Sequence, residues 1–110
     1  MGITGVLKSI TNSKVKVNPN PIIAGEVVEI IYNGLLAHEN AKELYLHAGV
    51  GLDNWKDIKE IKMNYQNNKG WVANFEVDNG ARLNFCFKDG ADNWDNNQFK
   101  NWSYDIKVNS

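Results

Sequence analysis

Apolar and polar residues alternate with a period of two along most of this chain, and no stretch presents a convincing apolar helical face, so strands are the expected elements. Lys14–Val17 alternates lysine with valine and reads as a first strand, ended by Asn18-Pro19-Asn20-Pro21. After a turn at Ala24-Gly25, Glu26–Asn33 places Val28, Ile30 and Tyr32 on one face. Asn33–Ala41 reads as a loop. Glu43–His47 turns Leu44 and Leu46 one way and Tyr45 and His47 the other. A Gly/Asp/Asn-rich loop, Gly49–Asp57, precedes a weaker strand at Ile58–Tyr65 with Ile61 and Met63 as core candidates. Gln66–Gly70 is a polar turn, and Trp71–Val77 and Arg82–Lys88 alternate clearly on either side of Asp78-Asn79-Gly80, which predicts a hairpin. A second polar loop, Asp89–Asn97, leads to a closing strand at Asn101–Val108.

About seven short strands with turn chemistry between them predict an all-β fold, an immunoglobulin-like antiparallel β-sandwich. The same pattern also fits a small antiparallel barrel. With 110 residues the chain can form a single domain with one core. Met1–Ser13 is polar and weakly patterned, and reads as a linker or frayed N-terminus preceding a module over residues 14–110.

Composition narrows the function. The formal net charge of −1 comes without a basic stripe, which argues against nucleic acid as a partner. No apolar run approaches a membrane span. The lone Cys86 excludes an internal disulfide and a cysteine-built zinc site. The expectation is a monomer without cofactor or metal.

Four tryptophans in so short a chain need an explanation. Trp71 and Trp102 are in phase with inward-facing residues and are assigned to the core, with Tyr32, Phe75, Phe85, Phe87 and Tyr104. Trp55 and Trp94 lie instead in Asp53-Asn54-Trp55-Lys56-Asp57 and Asp92-Asn93-Trp94-Asp95-Asn96-Asn97, where no strand phase offers burial. Each could fold back to cap an open end of the sandwich. The other reading is chemical. A pyranose has a face of C–H bonds that stacks on an indole and a rim of hydroxyls that pairs with amides, carboxylates and imidazoles. Trp55 and Trp94, with His47, Asn93, Asp95, Asn96 and Asn97, supply both kinds of group.

Competing classes fit less well. Glycoside hydrolysis needs two carboxylates across a cleft, whereas Asp53, Asp57, Asp89, Asp92 and Asp95 all sit in turn-forming company. Asp89–Asp95 has carboxylates at spacings open to a calcium loop, but not in the EF-hand register. An immunoglobulin-like protein-interaction domain could use the same exposed tryptophans as hot spots. Interface cores, however, are depleted of the charged residues that flank both tryptophans here.

The sequence resembles carbohydrate-binding modules of family 25, the starch-binding modules of bacterial amylases. Three features carry the likeness. The first is Ala24-Gly25-Glu26-Val27-Val28-Glu29-Ile30-Ile31-Tyr32-Asn33-Gly34-Leu35, a Gly-led strand entering a Tyr-x-Gly-x-Leu turn. The second is His47-Ala48-Gly49 followed by Trp55. The third is Phe85-Cys86-Phe87-Lys88-Asp89-Gly90, then Trp94-Asp95-Asn96-Asn97 and Asn101-Trp102. The resemblance implies no catalysis, and recognition of α-1,4-glucans (starch, glycogen, maltooligosaccharides) by His47, Trp55 and Trp94 with help from Asn96 and Asn97. It also implies a place in a secreted, multidomain amylase. The sequence departs from the family after the two asparagines, where Gln98-Phe99-Lys100 stands in place of a glycine.

Overall fold

Val28, Ile30 and Tyr32 share one side of their strand because side chains alternate across a pleated backbone, and that side is fully buried. The same rule organises the whole chain in a computed structural model that describes residues 14–38, 41–52, 55–78, 81–97 and 101–108. The elements are β1 (Val15–Asn18), β2 (Ile22–Ile23), β3 (Val27–Tyr32), a one-turn helix α1 (Leu35–His38), β4 (Leu44–Val50), β5 (Lys56–Lys62), β6 (Asn64–Gln66), β7 (Gly70–Glu76), β8 (Arg82–Asp89), β9 (Trp94–Asp95) and β10 (Trp102–Lys107). The linker assigned to Met1–Ser13 and the Gln98-Phe99-Lys100 departure lie outside the described residues.

Two sheets form the sandwich. One has strand order β1-β3-β7-β6, and the other β2-β10-β8-β4-β5 with β9 added to β8. In chain order this is the immunoglobulin-like arrangement expected from the sequence, with strands β1 and β2 splitting one edge strand between the two sheets. All described pairings are antiparallel except β2 with β10, which is parallel. The core between the layers is aromatic at its centre: Tyr32 stacks on Phe87 at 4.0 Å, and Phe85 packs against Phe87, Trp102 and Tyr104. Trp71 and Trp102 pack against this core and remain half-buried.

Several expectations need correction. The hairpin between Trp71–Val77 and Arg82–Lys88 does not form: β7 pairs with β3 and β6, and β8 with β4, β9 and β10 in the opposite sheet. Alternation shows which face is buried, and strands facing one another across a core alternate just as strands lying side by side do. The Ile58–Tyr65 segment is two strands. β5 belongs to the second sheet and β6 to the first, and the chain crosses between them at Met63, which is buried and donates its N–H to the Leu44 carbonyl at 2.8 Å. All three segments read as loops hold structure that turn composition concealed: β4 runs on to Val50 inside Gly49–Asp57, α1 lies inside Asn33–Ala41, and β9 lies inside Asp89–Asn97.

Gly34 has a packing reason. A Cβ there would fall 2.5 Å from the Tyr32 ring. The bare backbone instead folds over that ring, so the Leu36 N–H donates to the Tyr32 hydroxyl at 3.0 Å. Leu36 is itself buried, which gives the Tyr-x-Gly-x-Leu turn a physical basis.

Candidate functional site

The outer face of the second sheet is built from the residues that alternation turns away from the core. On β4 these are Tyr45, His47 and Gly49, and on β8 they are Asn84, Cys86 and Lys88. Register places Tyr45 beside Lys88, His47 beside Cys86 and Gly49 beside Asn84. Glu60 of β5 pairs with His47, and Trp94 of β9 pairs with Lys88.

Three of the side chains singled out from sequence meet here. The His47 ring centroid lies 5.9 Å from Trp55 and 5.4 Å from Trp94. Trp55 is inclined by 34° to the imidazole and Trp94 by 86°, so the two indoles cannot be coplanar. Trp94 is 47% exposed and Trp55 is half-buried. Neither is buried in the core, and neither caps the sandwich from an opposite end.

Local backbone explains how Trp55 reaches this face. Between the pairs Ala48–Lys59 and Val50–Lys56 the register slips, so that Asp57 and Ile58 oppose the single residue Gly49. This is a β-bulge, and Asp57 adopts the left-handed φ of 52° that Asp tolerates better than most residues. The bulge swings the start of β5 over the sheet, and Gly49 provides the floor: a Cβ there would sit 2.8 Å from Trp55 Cβ and 3.2 Å from its Cε3. The atom in the way is next to the Trp55 backbone, so a rotamer change cannot relieve the clash. Gly49→Ala is expected to push Trp55 off this floor and to cost about 1–3 kcal/mol of stability, since only a backbone shift relieves the contact. Tryptophan fluorescence alongside a thermal melt checks both halves.

Trp94 is held from beside and beneath. Lys88 Nζ lies 5.6 Å from the Trp94 ring and 5.7 Å from the Tyr45 ring, a cation between two aromatic faces. Glu60 at 3.2 Å and Asp92 at 3.6 Å fix that ammonium, and the Glu60 hydrogen bond raises its pKa. The small side chain of Cys86 is buried next to His47, and desolvation together with the Asp95 charge pushes its thiol up to about 11. At neutral pH it is a packed thiol. His47 Nδ1 is buried without a hydrogen bond, with Glu60 Oε1 3.9 Å away.

The polar residues assigned from sequence are engaged in building the loop. Asp89 is its hub, accepting from the Ala91 and Asn93 backbone N–H groups and from the Asn93 side chain, with the last holding its carboxyl below the ordinary range. Asp95 points to the core side, where Oδ2 accepts from the Tyr32 hydroxyl at 2.5 Å and Oδ1 accepts from the Asn97 N–H. The Asn97 side chain donates to the Asn101 carbonyl, and the Asn96 carbonyl accepts the Asn101 N–H. Asn97 takes a φ of 56°, so this loop uses its asparagines for tight backbone geometry.

Sequence reasoning gave no role to Tyr45, Glu60, Lys88 and Asn84, and named Gly49 only as part of a motif. Asn84 is a buried polar side chain, 7% exposed, that donates to the Gly51 carbonyl and accepts from Ser103 Oγ, so it ties the turn before Trp55 to β10. Outward strand phase was the signal available for Tyr45, Asn84 and Lys88. Glu60 required the β4–β5 register.

A profile for the starch/carbohydrate-binding modules of family 53 matches residues 28–85. The chain belongs to that family. The module is 34% identical over 91 residues to an alpha-amylase of Clostridium acetobutylicum, a match covering 82% of this chain and 11% of the enzyme. No solved structure matches it. The matched profile includes His47 and Trp55 and ends before Trp94. The expectation of a starch-binding module holds, and the family that matches is 53, not the family 25 that the motifs resemble.

Proposed function

We propose that this module binds α-1,4-glucans without catalysis by stacking glucose rings on Trp55 and Trp94, in the manner of the family 25 modules its motifs resemble. The observation that carries the reading is the meeting of His47, Trp55 and Trp94 on one outer face with their rings inclined. An α-1,4-linked chain curves, so successive rings present their faces in different directions, and inclined indoles suit it. A coplanar row would suit the flat, straight chain of cellulose. Nδ1 of His47 is enclosed beside Glu60, which leaves Nε2 as the nitrogen for a sugar hydroxyl.

A disaccharide of about 23 heavy atoms at about 0.3 kcal/mol each gives a ceiling near 7 kcal/mol, or about 10 μM. Affinity of that order is useful when the module is tethered to an enzyme that needs to stay near its polymer. The likeness to one segment of an amylase supports that setting. The module then serves a parent amylolytic enzyme acting outside the cell. Affinity electrophoresis against amylopectin, glycogen, pullulan, dextran and cellulose tests the reading. Retardation by the first three, with dextran and cellulose inert, is the expected result. Retardation by cellulose, or by none of the five, would defeat it.

A further inference from the structure

The edge of the first sheet carries a second aromatic group. β6 is the outermost strand there, and its central residue Tyr65 is the cross-strand partner of Trp71 on β7. Tyr65 is 59% exposed, and its ring meets the half-buried Trp71 at 5.5 Å with the planes inclined by 62°. Leaving a phenol ring wet forgoes most of its transfer free energy, so this edge gains little stability from Tyr65.

The polar groups nearby differ from several elsewhere in the chain. Asn33, Asn84, Asn93 and Asn97 commit their side-chain amides to internal hydrogen bonds. Asn64, Gln66, Asn67 and Asn68 are all exposed, and among the described residues their amides have no such partner. The turn that carries them is nevertheless fixed. Lys69 donates its backbone N–H to the Gln66 carbonyl, Asn33 Nδ2 donates to the Lys69 carbonyl at 2.8 Å, and Gly70 holds a φ of 115° with the Asn33 amide packed where a Cβ would stand. The one charge on the turn is paired, since Lys69 Nζ lies 3.1 Å from Glu29 and lowers the pKa of that carboxyl. The result is two inclined aromatic rings on the strands that flank a pinned turn, edged by unengaged amides, with no unpaired charge on the turn. Such a surface suits a neutral polyhydroxylated ligand: stacking on the ring, with amides meeting hydroxyls as donor and acceptor.

We infer that Tyr65 and Trp71, with the amides of Asn64, Gln66, Asn67 and Asn68, form a second glucan-binding site on the opposite sheet from His47. The choice of glucan rests on the reading of the first site. Two sites on different sheets let one module hold two chains, or two turns of one chain, and raise its retention on a polymer without raising the affinity of either site.

An NMR titration of the 15N-labelled chain with maltoheptaose distinguishes the outcomes. In the Trp55→Ala/Trp94→Ala double variant, the amides of residues 64–71 and the Trp71 indole N–H should still shift with a millimolar dissociation constant. Tyr65→Ala should remove those shifts and Tyr65→Phe should keep them. On granular starch, Tyr65→Ala alone should weaken retention roughly tenfold or more relative to the parent. If Trp55 and Trp94 respond in the parent while residues 64–71 stay silent at saturation, the second site is refuted and the first stands. Response confined to 64–71 supports the second site and removes the first. Silence at both overturns the second site and the glucan reading with it.

Discussion

Trp55→Ala and Trp94→Ala should each abolish retardation of the module in an amylopectin gel while leaving its thermal melt intact. Both indoles sit outside the core, on the outer face of the second sheet, so their removal opens no internal cavity. A stacked indole of the hot-spot kind contributes about 2 kcal/mol or more, close to a thirtyfold loss on truncation. Subtracted from a ceiling near 7 kcal/mol, that leaves a dissociation constant in the range of hundreds of micromolar or weaker, beyond what gel retardation resolves. The two effects should not add, since both rings contact His47 and shape one site. Persistent retardation in both single variants would show that the glucan contacts lie elsewhere.

Tyr32→Phe should affect stability and binding together. The phenol oxygen donates to Asp95 Oδ2 and accepts the Leu36 N–H, while the ring stacks on Phe87. Phenylalanine keeps the stack and removes the oxygen. That leaves a part-buried carboxylate without this donor and a buried helix N–H without this acceptor, at about 1–3 kcal/mol for each group. With a shift of about 4–8 °C per kcal/mol in a domain near this size, the melting temperature should fall by at least about 10 °C. Asp95 immediately follows Trp94 on β9, so its release should also loosen the strand that presents the indole and weaken glucan binding. Tyr65→Phe, at an exposed position, provides a control that should melt near the parent. A Tyr32→Phe variant that melts as the parent does would mean the Tyr32–Asp95 bond contributes nothing to the anchoring of β9.

Period-two alternation is a local property, and what it encodes survived folding. The inward phases of Tyr32, Leu44, Leu46, Phe85, Phe87 and Ile106 are all buried, and the outward phase of His47 is what brings it to the outer face. The absence of a strand phase around Trp55 and Trp94 likewise marked the two indoles that stay out of the core. Turn composition was a weaker guide. Asp, Asn and Gly in Asp89–Asn97 signal a departure from regular pairing, but they do not exclude a short strand held between two turns, and β9 is one.

The sequence by itself therefore determined the all-β class, which face of each strand is apolar, and which tryptophans the core would leave out, because each is fixed by chemistry within a few residues. Strand partners, the crossing at Met63, the bulge that swings Trp55 over Gly49, and the Tyr32–Asp95 bond beneath Trp94 were decided only in the tertiary structure. These depend on contacts between residues far apart in the chain, where one alternating pattern is compatible with many pairings until the packing of side chains selects one.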